Sequence, residues 1–318
     1  MNAGKHERAR TEEFARVSEI QLKDVSVAFA TTGGTPGSSE ARGHVESSEA
    51  RGSVGSSDVE GIVGNSGGSA KSGIRFVLQE VDLEVRRGDW IAIIGRNGSG
   101  KSTLGRVMAG LLPVSRGVCE RGDGRVQLVF QNPDAQIVGE TVWEDVCFGL
   151  ENLAVPTEEM PARAEAALSK VGLLEKKDAD VSTLSGGQKQ LLAVAGCLAM
   201  QAEVLIFDEA TSMLDPESRA SLLRVAADLH LTGRTVVWIT QWMDEVVRAE
   251  RVAALETGRV VFEGTPEQFF YGRDGEDSPS DRLHFAPPYA VQVARALEQT
   301  GVALRTRPLL PEQVGDAL

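Results

Sequence analysis

The chain has 318 residues, with 46 acidic and 33 basic side chains and a formal charge of −13. That length fits one large domain with an appendage. The acidic balance argues against a nucleic-acid partner bound over a broad surface, and against attraction to anionic lipid, since both need clustered Lys and Arg. The longest clean apolar run, residues 191–200, falls far short of the ~20 needed to span a bilayer. Membrane association is therefore expected only through a protein partner, without insertion of this chain. Cys119, Cys147 and Cys197 are isolated and odd in number, and His6, His44, His230 and His284 lack metal-ligand spacing. The cysteines read as packing residues of a reducing compartment.

Residues 1–17 are expected to be a flexible start. Their polar sequence has no apolar h-region and does not read as a signal peptide. Residues 18–29 alternate apolar and polar, as a half-buried strand does. Residues 31–73 are rich in Gly and Ser and repeat Ser38-Ser39-Glu40-Ala41-Arg42-Gly43 as Ser47-Ser48-Glu49-Ala50-Arg51-Gly52. Too little of this segment is apolar to offset ordering entropy, so it is expected to be a disordered insert. Residues 74–85 resume the sheet.

Trp90-Ile91-Ala92-Ile93-Ile94 reads as a buried strand. It runs straight into Gly95-Arg96-Asn97-Gly98-Ser99-Gly100-Lys101-Ser102, and from Thr103 a helix can follow. This is the G-x-x-x-x-G-K-[ST] phosphate-binding loop in its required strand, loop and helix order. Glycines let backbone N–H groups approach triphosphate oxygens, and the helix N-terminus adds partial positive charge. Lys101 would reach the terminal phosphates, and Ser102 would put a hydroxyl on Mg²⁺. Farther on, Leu184-Ser185-Gly186-Gly187-Gln188-Lys189-Gln190 opens a helix-compatible run. Then Val204-Leu205-Ile206-Phe207 ends in Asp208-Glu209. Asp208 is placed to hold Mg²⁺ and Glu209 to polarise an attacking water. Taken alone, that carboxylate pair fits a solvated turn equally well.

Residues 160–171 and 216–229 carry helical spacing. Residues 252–262 read as a hairpin turning at Thr257-Gly258. Residues 273–280 read as a charged linker, and residues 289–297 and 311–318 as short helices.

With the phosphate loop, the LSGGQ segment and the Asp208-Glu209 strand together, the chain resembles the nucleotide-binding subunits of ABC transporters. The resemblance implies an α/β P-loop core with an N-terminal antiparallel β layer, a helical subdomain and a small C-terminal appendage. It implies ATP with Mg²⁺, and two subunits that sandwich two nucleotides. In that arrangement Ser185, Gly186, Gly187 and Gln188 clamp the γ-phosphate of the partner's ATP. By the same resemblance Gln131 matches the Q-loop glutamine, with catalytic and metal roles, and Ser212-Met213-Leu214-Asp215 match the D-loop. Phe29 matches the aromatic that stacks on adenine; any ring face can do this, and an ordinary strand residue is the plainer alternative.

Val129-Phe130-Gln131-Asn132-Pro133-Asp134-Ala135-Gln136 and the Asp145-Val146-Cys147-Phe148-Gly149-Leu150-Glu151-Asn152-Leu153 segment look like energy-coupling factor (ECF) transporter ATPases. The Ser212-Met213-Leu214-Asp215-Pro216 form resembles the first ATPase of their pair. ECF systems import vitamins or metal ions in prokaryotes. They would supply as partners a second homologous ATPase (a heterodimer), a transmembrane scaffold and a separate substrate-binding membrane subunit, and would place this chain on the cytoplasmic face of the membrane. Other ABC importers, and soluble ABC ATPases of DNA repair or translation, are the alternatives. The resemblance divides the chain into an ATP-binding domain, 18–266, and a linker with appendage, 267–318. Within the domain, about 131–200 would hold the Q-loop, helical subdomain and signature helix.

Two positions depart from the family pattern. Gln241 stands where a switch histidine is usual, and an amide donates only a neutral hydrogen bond. Leu191 follows LSGGQKQ, where Arg is usual. Gln241 is expected to act in catalysis at this chain's own site, more slowly than His would.

Overall fold

The computed structural model describes residues 18–31, 73–272 and 277–318. The expectations for residues 1–17, and for all of the insert but its two end residues, lie outside the described residues. The chain divides into two compact units, residues 28–75 and the remainder. In the first, the described residues are the ends of two strands, with Phe29 and Ile74 exposed.

β1 (Ser18–Thr31), β2 (Gly73–Arg86) and, later in the chain, a strand at Arg116–Arg121 form a three-stranded sheet with β1 in the centre. β3 (Trp90–Gly95) leads through the phosphate loop to α1 (Lys101–Met108). The sheet strand β4 (Arg116–Arg121) runs antiparallel to β1, with Leu22 opposite Cys119. Next come β5 (Val126–Val129), α2 (Val142–Asn152), α3 (Met160–Lys170), α4 (Gly186–Ala199), β6 (Val204–Asp208), α5 (Pro216–Leu231), β7 (Thr235–Ile239), α6 (Met243–Val246), β8 (Arg251–Glu256) and β9 (Arg259–Gly264). The appendage holds α7 (Pro266–Tyr271), α8 (Pro279–Arg282), α9 (Tyr289–Gln299) and α10 (Pro311–Ala317).

The central sheet has the order β5-β6-β7-β3-β8-β9. Its pairs are parallel except β8 with β9, which form the antiparallel hairpin. β3, β6 and β7 are buried along their whole length. Parallel strands covered on both faces read as unbroken apolar runs, because neither face meets water. Successive side chains enter opposite cores. Trp90, Ala92, Ile94, Phe207 and Trp238 join the core under α2–α5, and Phe207 and Trp238 lie 4.7 Å apart. Ile91, Ile93, Ile206 and Ile239 join the core shared with α1 and the antiparallel sheet. Leu191, at the position where the family pattern has Arg, is buried in the first of these cores.

Where the sequence reading has a charged linker through residue 280, the chain is already helical at Pro279. Ser278 and Ser280 are buried. Ser278 caps α8, and the Arg295 fork on α9 holds Asp281 at 3.0 Å and Ser278 Oγ at 2.9 Å. A cation 14 residues downstream thus turns a polar stretch into a docked turn. Phe269 and Phe270 of α7 are fully buried in the larger core.

Candidate active site

Parallel sheets present their sites beyond the carboxyl ends of the strands. Here β3, β6 and β7 deliver Gly95, Asp208 and Thr240 to the same end. The loop after β3 needs glycine at Gly100, which N-caps α1 at φ +105°. A Cβ there would stand 2.7 Å from Leu78 Cδ2 and 2.9 Å from the Val77 carbonyl oxygen. Left-handed backbone and close approach together leave glycine as the residue that fits.

Lys101 is buried, with its Nζ donating to the carbonyl oxygens of Gly95 (2.9 Å) and Arg96 (3.4 Å). The same ammonium lies 3.2 Å from Glu209 Oε1. Gln241 Nε2 donates to the other oxygen, Glu209 Oε2, at 2.8 Å. One carboxylate is therefore held between a cation from the phosphate loop and an amide from the loop after β7. Glu209 has φ +50°, and its N–H donates to the Ile239 carbonyl at 2.9 Å. A non-glycine residue held in the left-handed region marks a backbone over-determined by its surroundings, as functional positions often are.

Ser102 Oγ donates to Asp208 Oδ1 at 2.8 Å. Burial pushes the Asp208 carboxyl above the usual carboxylate range. The Ser102 hydrogen bond pulls it down, the Glu209 charge adds to the rise, and Arg106 and Lys101 oppose it. A buried carboxylate beside a hydroxyl, with its charge disfavoured, is an oxygen donor set suited to a hard divalent cation such as Mg²⁺. Among the described residues, no group of three or more His, Cys, Asp or Glu side chains could hold a metal.

Glu209, Thr211, Ser212, Thr240, Gln241 and Trp242 line a cleft of about 310 Å³. Gln131 reaches its edge, donating from Nε2 to Ser212 Oγ at 3.0 Å rather than to the Ser102–Asp208 pair. A second hollow of about 300 Å³ is lined by Arg96, Asn97, Gly98 and Ser99 together with Leu283 and Phe285 of the appendage. Thr103 follows Ser102 within the first turn of α1. Phe29 lies in the smaller unit, 46% exposed near the end of β1.

The LSGGQ residues form the N-terminus of α4. Ser185 Oγ accepts from Gln188 N–H (3.2 Å), and Gln188 Oε1 accepts from Ser185 N–H (3.1 Å). This reciprocal capping box satisfies two otherwise orphaned donors. Gly186 has open space where a Cβ would stand, whereas a Cβ on Gly187 would run into Ser218. Among the described residues, no recorded hydrogen bond joins residues 185–188 to the phosphate loop.

Sequence reasoning missed a buried carboxylate behind the Gln241 loop. Glu245, only 2% exposed, accepts from Trp238 Nε1 at 2.9 Å and Thr240 Oγ1 at 2.6 Å. Trp242 N–H donates to Thr240 Oγ1 at 3.0 Å. A carboxylate in a short helix carries no local mark that separates it from a solvated face, so no signal in one sequence could have found it.

A profile of the ABC transporter family matches residues 78–212. The energy-coupling factor transporter ATP-binding protein EcfA1 of Symbiobacterium thermophilum is 45% identical over 77% of this chain and 89% of its own length. EcfA1 of Halalkalibacterium halodurans is 41% identical over 76% and 90%. EcfA of Methanosarcina acetivorans is 40% identical over 71% and 86%. Among solved structures, CbiO1 from Clostridium perfringens, part of the ABC transporter complex cbiONQ, aligns at TM-score 0.62 with 24% identity, over 90% of this chain and 99% of that one. The ATP-binding cassette MJ0796, a dimer bound to ADP and Pi in a post-hydrolysis state, aligns at 0.58 with 22% identity, over 78% and 98%. At these identities the two structures speak for the fold, which is that of ABC ATPase cassettes.

Proposed function

Because this chain belongs to the energy-coupling factor transporter ATP-binding proteins of the ABC transporter family, we propose that it powers uptake of a vitamin or metal ion, paired with a second, homologous ATPase. Its own activity is ATP hydrolysis. The observation that carries the site reading is the connected set Lys101, Glu209 and Gln241, beside Ser102 and Asp208. On ATP binding, Lys101 exchanges Glu209 for phosphate oxygens, and the backbone N–H groups of residues 95–103 surround the phosphates. Glu209 is then released to take a proton from the attacking water. Gln241 steers that carboxylate and donates to the γ-phosphate. Ser102, Asp208 and Gln131 would hold Mg²⁺, which supplies charge neutralisation on the phosphate oxygens when bound. Phe29 would stack on the base. Residues 185–188 would close over the nucleotide of the partner ATPase, presented at the capped N-terminus of α4.

The Asp208 environment gives a test that does not need turnover. A carboxyl whose pKa is raised by folding costs stability while ionised, at pH above its folded value. Removing the charge at neutral pH therefore relieves that cost. Asp208→Asn, which keeps the acceptor for Ser102, is expected to raise the melting temperature of the nucleotide-free protein. It is also expected to abolish the Mg²⁺ dependence of ATP binding. A lower melting temperature with Mg²⁺ dependence intact would contradict the assignment.

No helix among the described residues is long and apolar enough to cross a membrane. A peripheral place on the cytoplasmic face, held by a transmembrane scaffold, is supported by a groove of about 440 Å³. Val138, Trp143, Phe148 and Met160 line it, with Glu144 and Glu151 at its edge. Val138 is 63% exposed and Phe148 43%. Of the acidic residues in this region, Glu144 closes a capping box with Thr141, and Asp145 accepts from the Val138 and Gly139 amides. Reversing either would damage the fold locally, so Glu151 and Phe148 are the informative positions. Glu151→Arg and Phe148→Asp are expected to impair assembly with the scaffold, read by co-purification from membranes, while ATP affinity stays the same. Unaltered assembly in both variants would count against the groove. Neighbouring genes encoding a scaffold and a substrate-binding membrane protein would identify the cargo class.

A further inference from the structure

Glu245 occupies an unusual position for a carboxylate. It is 2% exposed, and one oxygen, Oε2, takes both side-chain donors, from Trp238 and Thr240. The other oxygen, Oε1, is buried without a hydrogen bond and faces Arg219 Nε at 3.6 Å. Arg219 also spreads its guanidinium over the Trp242 ring, 4.0 Å from the centroid. A buried carboxylate needs a cation near it, and Arg219 is the cation recorded here.

The sequence positions of these partners give the cluster its meaning. Thr240 and Trp242 flank Gln241, the residue whose amide holds Glu209. Thr240 is tied to Glu245 directly, and Trp242 is tied through its N–H to Thr240 and through its ring to Arg219. Arg219 belongs to α5, four residues after Asp215, whose side chain caps that helix by accepting from the Glu217 and Ser218 amides. The backbone on both sides of Gln241 is thereby pinned to the helix that follows the D-loop. Ser212 of that D-loop accepts from Gln131.

We propose that Glu245 and Arg219 are positioning residues for ATP hydrolysis. They strap the Gln241 loop to the D-loop helix, so that Gln241, Glu209 and the D-loop hold their geometry as one body. The proposal rests on the reading of Gln241 as a residue of this chain's own catalytic site. Neither Glu245 nor Arg219 touches the nucleotide in this scheme. Their effect runs through the aim of the Gln241 amide, and misplacement by about 1 Å in such a system can cost on the order of 10²-fold in rate.

The test is a double-mutant cycle in the assembled ATPase, with single-turnover hydrolysis at this chain's site and ATP affinity measured separately. Glu245→Gln and Arg219→Gln are each expected to lower the rate ~10-fold or more, with ATP affinity within about twofold of wild type. In a Gln241→Ala background, either change is expected to cost less than about twofold further, because the geometry it protects is already gone. Should Glu245→Gln fail to fold, Arg219→Gln, at a partly exposed position, decides the cycle. Full multiplicative losses would overturn the positioning role, as would losses confined to ATP affinity. Unchanged rates in both single variants would overturn it too. If Gln241→Ala alone leaves the rate intact, the reading of Gln241 itself fails and the strap falls with it. That outcome is distinct from the others.

Discussion

Lys101→Ala is expected to weaken MgATP binding by at least ~100-fold while the chain remains folded. The ammonium is the buried cation of the phosphate loop, anchored by two carbonyl oxygens and the Glu209 carboxylate. Charge-assisted hydrogen bonds contribute ~1.5–3 kcal/mol each, and 1.4 kcal/mol is tenfold in affinity. Two such bonds to terminal phosphate oxygens account for a loss of this size. Alanine also leaves Glu209 without its cation and empties a buried site. Lys101→Met, which keeps most of the volume, separates the lost charge from the lost packing. Calorimetric titration of both variants with MgATP checks the assignment, and wild-type affinity in either one would remove Lys101 from the phosphate site. Melting temperatures recorded alongside guard against simple unfolding.

Replacing Glu209 with Gln should leave ATP bound but slow hydrolysis at this chain's own site by ~10²–10⁴-fold, the range over which general bases contribute. Glutamine is isosteric, so the φ +50° backbone and the contact with Gln241 can persist while the proton acceptor is lost. The proposed heterodimer has two composite sites, and this change also tests their asymmetry. Gln241 supplies a neutral donor where the family's switch histidine can add charge, and a positioned transition-state donor can be worth ~10²–10³ in rate. The site closed by residues 185–188, with the partner's phosphate loop and switch residue, is therefore expected to carry more of the turnover. Glu209→Gln should cost the complex less than the equivalent change in the partner. Gln241→His should raise or preserve turnover here. Single-turnover assays with one site disabled at a time decide the matter. If losing Glu209 stops all turnover and the partner's glutamate proves dispensable, the asymmetry runs the other way.

Several features were legible in the residues because their causes are local. The runs at residues 90–94 and 204–207 read as strands buried on both faces, since they are short, apolar throughout and end at a glycine loop or a carboxylate pair. The phosphate loop placed the start of α1, and the LSGGQ segment placed the start of α4. Turn chemistry at Thr257-Gly258 placed the β8–β9 hairpin.

What tertiary structure alone decided has causes far apart in the chain. Lys101 meets Glu209 because β3 and β6 both flank β7 in one parallel sheet and end at the same edge. Gln241 meets Glu209, 32 residues away, because β6 and β7 are neighbours in register. Gln131 donates to Ser212 Oγ, 81 residues away, a pairing that no local motif names. Ser278 and Ser280 read as part of a charged linker and are buried, because Arg295 arrives from α9 to bond Ser278 Oγ, which in turn pairs with Ser280 Oγ at 2.9 Å. Glu245 is the clearest case. Sequence leaves a carboxylate on a short helix free to face water, and only packing on Trp238, Thr240 and Arg219 makes it an internal anchor. Local propensity and period settle which elements form. Which charges end up sharing a buried site depends on strand order and helix docking, and these are properties of the assembled fold.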